Sequence, residues 1–197
     1  MRARSGPLAS ATVRRLLLTV AGVGTGFGAI EVAMPAYAEV EGARPAAAGV
    51  LLAVWSVGSI VGGLVYGGLH LRTPHARQLP VLVTAMAVGT ALPVLAAAWS
   101  AGTPALMGGA LFLYGLTIAP FSACNSVLLG EAAPVGTATE AVAWDSSMIF
   151  GGAALGSGLA GVLAERSGPA AALTVTAVAG VLTVVAARLP RPVVAST

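Results

Sequence analysis

The chain is short of charge. Only 9% of its 197 residues are Asp, Glu, Lys or Arg, lysine is missing altogether, aromatics make up 5%, and there is one cysteine. A soluble domain carries about one quarter charged residues, so a soluble fold is excluded. With no lysine, all ten basic residues are arginines, and they lie between or beside the apolar runs. A net charge of +3 and a pI near 9.8 therefore do not point to a nucleic-acid partner; the arginines encode membrane topology instead. Cys124 sits alone inside an apolar run, which excludes a disulfide framework and a cysteine metal site. His70 and His75 share one loop with no acidic or cysteine partner nearby, and they read as solvated residues rather than metal ligands. No serine lies in a nucleophile signature, so neither an intramembrane enzyme nor a cofactor is expected. The absence of lysine beside abundant Ala, Gly and Arg points to a GC-rich bacterial source.

Apolar residues fill the place of the missing charge: 57% of the chain is hydrophobic and the mean hydropathy is +0.91. They fall into six stretches, near 16 to 38, 46 to 69, 79 to 99, 104 to 129, 138 to 164 and 169 to 187, each near the ~20 residues needed to span a bilayer. The expected fold is all-α: one transmembrane domain over residues 1 to 197, with no room for a soluble one. A cytoplasmic N-terminus puts Arg2, Arg4, Arg14, Arg15, Arg72, Arg77, Arg188 and Arg191 inside and Arg44 and Arg166 outside, a positive-inside bias that an odd number of spans would destroy. Both termini are then cytoplasmic, in a bacterial inner membrane. The first 38 residues also fit a secretory signal ending at Ala36-Tyr37-Ala38. Glu31 interrupts that pattern and five more spans follow, so the first helix is expected to be retained.

The stretch from Pro134 to Gly168 looks like the organising element. Thr137-Ala138-Thr139-Glu140 matches a capping box, which would give Glu140 a structural role. Asp145 lies five residues farther in, about 7 Å by helix rise, and is the stronger functional candidate. Gly152, Gly156 and Ala160 form one small-residue ridge and Ala153, Ser157 and Gly161 another, as close helix packing requires. The second span carries a similar strip of Gly58, Gly62, Ser59, Gly63 and Gly67.

Glu31 in the first span lies roughly 6 Å from the midplane. It reads either as a proton-titrating or cation-binding acid or as a group reaching water at the outer interface. Pro35 removes the donor to the Glu31 carbonyl and is an expected kink or hinge. The fourth span carries Pro120, a second expected hinge, and Asn125, whose amide should hydrogen-bond another helix; Asn125 stands at a depth from which it can share a proton or hydrogen bond with Asp145. Trp144 reads as an interfacial anchor or a cavity wall. The third span, ending at Trp99, and the sixth are uncharged in their cores and read as lipid-facing. The second trio of helices thus echoes the first, which points to two inverted three-helix repeats.

AAGVLLAVWSVGSIVGGLVYG in the second span, with TEAVAW and GGAALGSGLAGVLAERSGPAAAL around the fifth, resembles the C-terminal half of major facilitator superfamily transporters of the bacterial drug-efflux-like type. The resemblance covers essentially the whole chain. It implies a cavity lined by spans one, two, four and five, lipid around three and six, and alternating access, often driven by protons. The family has twelve helices in two halves, so a homodimer or a separate N-terminal half is an expected partner, beside the lipid bilayer and a small-molecule substrate. The family's glycine-Asp-Arg signature after its second helix has no counterpart here, where Tyr66-Gly67-Gly68 and a loop without acids stand. No basic residue lies inside any apolar stretch, so Glu31 and Asp145 favour protons, lipophilic cations or neutral molecules over organic anions. Proton-coupled efflux of small lipophilic or cationic molecules is the expected function. The alternative is a truncated or regulatory membrane remnant without transport.

Overall fold

A computed structural model describes residues 6–42, 44, 46–69, 72–99 and 103–188. Among the described residues all regular structure is helical: α1 (Ala11–Val40), α2 (Ala46–Gly68), α3 (His75–Trp99), α4 (Pro104–Gly115), α5 (Ile118–Ala132), α6 (Ala138–Ser167) and α7 (Pro169–Arg188), with a 3-10 turn at Pro7–Ala9 before them. Helices α4 and α5 are two parts of one span, so six spans are long and apolar enough to cross a membrane. Arg2, Arg4, His70 and Arg191 lie outside the described residues.

Local chemistry sets the helix ends. The Ser10 side chain accepts the Val13 N–H at 3.4 Å and caps α1. Gly168, at φ +83°, ends α6, and Pro169 opens α7 at once, because glycine accepts the left-handed turn and proline needs no donor in the first helical turn. The helices outrun the apolar stretches at several ends, notably α1 and α6. Hydropathy marks the part in the bilayer, whereas the backbone ladder continues into flanking residues such as Arg14 and Glu165.

The helices pack through two seams of direct backbone contact. In the first, a methyl group on Gly28 of α1 would strike the Ala153 carbonyl of α6, and one on Gly24 would strike that of Ile149. Reciprocally, Gly152 and Gly156 of α6 sit against the carbonyls of Ala21 and Thr25. Ser157 adds a hydrogen bond, its hydroxyl donating to the Gly28 carbonyl at 3.1 Å. In the second seam, Gly58 and Gly62 of α2 lie against the carbonyls of Phe112 and Leu116, and Gly115 against that of Trp55. Both seams join helices that run in the same direction. Around them α7 packs on α1, α3 and α6, and α3 packs on α4 and α5.

This arrangement maps onto itself when the first three spans are exchanged with the second three. First meets fifth as second meets fourth, first meets sixth as third meets fourth, and third meets sixth. Helices α3 and α7 each bury one face and expose an apolar one, through Val81, Val88 and Leu95 on α3 and Val178, Leu182 and Val185 on α7.

Several expectations need correction. The central helix is α1, with 61% of its most apolar window buried, and the 134–168 stretch supplies the least buried one, α6, at 17%. One edge of α6 meets α1, its flanks touch α7 and α5, and the remaining face is exposed. Gly67 and Gly161 meet nothing within 4 Å, because Gly67 lies past the point where α2 touches Leu116 and Gly161 is off the α1-facing edge. Gly63 touches the Ala119 methyl instead of backbone. The capping box does not form: the Thr137 hydroxyl donates to the Pro134 carbonyl at 2.8 Å and caps no helix amide.

The seams generate a paired test. Gly156→Leu should cost about 3 kcal/mol by forcing α1 and α6 apart, read as a lower melting temperature in detergent. Gly158→Leu, two residues along in open space, should cost less than about 1 kcal/mol. Equal losses would show that backbone contact is not what joins the two helices.

Candidate functional site

The bundle has two ends: a basal one, where α1 starts and α7 stops, and a distal one. Near the basal end, α5 crosses beside α6, and there the Asn125 Nδ2 donates to the Asp145 Oδ1 at 3.1 Å. Asn125 is buried, 2% exposed, and Asp145 is half-buried. The pair forms because α5 turns Asn125 inward together with Phe121 and Cys124, while Asp145 lies on the flank of α6 that the α1 seam leaves uncovered.

The Asn125 Oδ1 is buried and has no hydrogen-bond partner. An ionised carboxylate only accepts hydrogen bonds, so the amide must offer it Nδ2. A protonated Asp145 carries a donor, and an amide turned over would accept it on Oδ1. The pair is thus complementary to either charge state of the acid, with the amide orientation following the proton.

Glu31 is not part of this pair. The α1/α6 seam sets Gly24 level with Ile149 and Gly28 level with Ala153, which places Asp145 level with Val20 and Glu31 level with Gly156. Eleven helical residues separate the two acids along the bundle axis, about 16 Å. Glu31 is exposed, and Pro35 and Glu39 follow on the same stripe of α1. Glu140, in the first turn of α6, is exposed, and its carboxylate lies near Gly6 ahead of α1. It sits at a helix N-terminus, where a negative charge is favoured, but outside the Asn125–Asp145 pair. Trp144 is partly buried against the core, and Trp99 is exposed at the distal end of α3.

Pro120 follows a break in the fourth span. Thr117 N–H turns to the Tyr114 carbonyl at 3.1 Å, the Thr117 hydroxyl adds a second bond to that carbonyl at 2.7 Å, and the ladder resumes with Phe121 N–H on the Thr117 carbonyl. Having no N–H, Pro120 leaves unclaimed the Leu116 carbonyl that packs on Gly62.

Two groups escaped the sequence reading. Phe27, Trp55 and Tyr114 join α1, α2 and α4 in an aromatic stack, with centroids 5.2 Å apart and edge-on for the first pair and 5.9 Å apart and stacked for the second. The second group lies at the basal end. The Tyr66 hydroxyl donates to the Gln78 Oε1 at 2.5 Å, the Gln78 Nε2 donates to the Thr73 carbonyl at 2.5 Å, and the buried Cys124 thiol donates to the His75 carbonyl at 3.4 Å. The first two bonds tie the end of α2 to the start of α3 where the family signature would stand, and the third ties α5 to the same turn of α3. A tyrosine and a glutamine twelve residues apart, on either side of a turn, were the available signal. Among the described residues, no group of three His, Cys, Asp or Glu side chains is placed to hold a metal ion.

Six spans around two backbone seams define a multi-pass membrane protein among the described residues. The family profile described as Major Facilitator Superfamily matches residues 16–197, and the chain belongs to that superfamily. Comparison with curated proteins gave no match.

The clamp at the basal end can be tested directly. Tyr66→Phe removes one neutral hydrogen bond, worth about 1 kcal/mol, and should speed hydrogen exchange of the amides in the first turn of α3 by roughly fivefold. An unchanged exchange rate would mean that the bond does not hold the turn.

Proposed function

We propose that this major facilitator-type unit couples proton movement to the efflux of small lipophilic or cationic molecules by alternating access. The observation that carries the reading is the Asp145 carboxylate bonded to a buried Asn125 amide. A carboxylic acid in that position serves as a proton carrier, because the amide can satisfy it in either charge state. Glu31, about 16 Å away along the axis, is a second acidic station, on the exposed stripe of α1 that continues through Pro35 and Glu39. The two acids stand at different depths, so each is reached more easily from its own side of the membrane.

Charge supports the substrate class. Between Arg15 and Arg188 no basic residue lies within the apolar part of a span, so an organic anion has no fixed positive partner there. A lipophilic cation finds carboxylates and apolar walls.

Helices α2 and α6 flank α1 without packing on each other and are the two least buried spans. Their outward faces suit a second six-helix unit, either another copy or a separate N-terminal half, which would close the cavity. The arginines of α1, α3 and α7 at the basal end support a cytoplasmic placement of that end in a bacterial inner membrane.

Two substitutions test the coupling. In sealed vesicles with an imposed pH gradient, Asp145→Asn and Glu31→Gln should each lower transport of a fluorescent lipophilic cation by about tenfold or more, equivalent to roughly 1.4 kcal/mol. Full activity in both variants would remove the two acids from the mechanism. Size measurement in detergent should find more than one six-helix unit in the active species, and an active strict monomer would defeat the second-unit reading.

A further inference from the structure

We propose that α5 is a swinging half-helix that links the Asn125–Asp145 pair to the clamp between α2 and α3. Three observations converge on this short helix. Above it the backbone ladder is interrupted at Leu116–Thr117, and Pro120 supplies no donor to mend it. On one side Asn125 holds α5 to α6 through Asp145. One residue earlier, about 100° around the helix, Cys124 holds it to α3 through the His75 carbonyl, with the Tyr66 hydroxyl beside the thiol.

The two parts of the fourth span are held differently. Helix α4 is keyed to α2 by backbone contact, at Gly58 with Phe112 and Gly62 with Leu116, whereas below the break α5 meets α2 through the Ala119 methyl on Gly63. Side-chain contacts can be released one at a time, and backbone seams cannot. The break therefore separates an upper part keyed by backbone from a lower part held by side chains alone: the buried Phe121 and Leu129, and two polar contacts on adjacent residues. Releasing Asn125 from Asp145 frees one flank of α5, and the turn at Leu116–Thr117 lets it leave α3. That motion uncovers Cys124 and loosens the Tyr66–Gln78–Thr73 clamp. The state of an acid on the fifth span is thereby passed to the link between the second and third.

The inference does not require Asp145 to move protons in transport, because the test follows α5 itself. Cys124 is the chain's single cysteine and is fully buried, so its reaction with N-ethylmaleimide, followed by intact mass at one fixed pH, reads the opening. In the full-length protein in lipid nanodiscs, Asn125→Ala and Asp145→Ala should each speed labelling about fivefold, the factor that one ordinary hydrogen bond is worth. Pro120→Ala restores a donor to the Leu116 carbonyl and should return the Asn125→Ala protein to near the wild-type rate. That rescue separates a swing of α5 from general loosening, which residue 120 would not reverse. Labelling at the wild-type rate in both single variants would overturn the proposal, as would faster labelling that Pro120→Ala leaves unchanged.

Discussion

The structure depends on backbones touching at two seams. Inside a bilayer the hydrophobic effect gives helices no reason to associate, because lipid tails are as apolar as leucine. Association must come from close packing and local hydrogen bonds, and both improve when the helix axes approach. The reciprocal glycines of α1 and α6 leave no side chain of their own on the contact line, so carbonyl oxygens fill the space where methyl groups would stand. The Ser157 hydroxyl then reaches the Gly28 carbonyl across the gap. The second seam does the same for α2 and α4. Helices α3 and α7 are fitted around these two pairs with ordinary side chains such as Thr90 and Thr183, which occupy the hollows opposite Gly180 and Gly22.

Polar groups in this interior are few, and their placement separates structural from working roles. Most hydroxyls spend their hydrogen bond on their own helix, as Thr19, Thr25, Thr84 and Ser147 do with the carbonyl four residues back. Such groups cost little in an apolar wall and report nothing about function. Asn125 differs because it crosses to another helix, meets an ionisable group and keeps one oxygen unsatisfied. An unpaired buried acceptor is costly, and its persistence beside an acid is what gives the pair its interest.

Much of the architecture was legible in the sequence because the bilayer leaves so few options. Apolar runs of spanning length must be helices, and the glycine spacing in α2 and α6 marked one side of each seam. The other side was harder to see. In α1 the glycines at 24 and 28 are mixed with Gly22 and Gly26, so no single ridge stands out, and the most buried helix looked like an ordinary first span. Gly67 and Gly161 show the converse: spacing says where a close contact is possible, and a neighbour at that height decides whether it forms. The Thr137–Glu140 pattern failed for a local reason, since the threonine hydroxyl found the nearer Pro134 carbonyl. Of the site, the depth match between Asn125 and Asp145 was readable from helix rise alone. The Tyr66–Gln78 clamp left only a faint signal, a tyrosine and a glutamine on either side of a turn, and neither composition nor period says that the two bond.

The seams also join helices that point the same way, and that has a consequence for how the protein is made. Parallel neighbours cannot be connected by a tight turn, so each seam joins distant parts of the chain: Gly28 meets Ala153, and Gly58 meets Phe112. Contacts between residues so far apart in sequence form late. During synthesis α1 therefore enters the membrane with its glycine-lined face bare and stays so while three further spans are inserted. Until α6 arrives, the chain holds an unfilled groove at its own centre. The interval between the first span and the fifth is when this protein is most open to a wrong partner or to capture by the machinery that removes unassembled membrane chains.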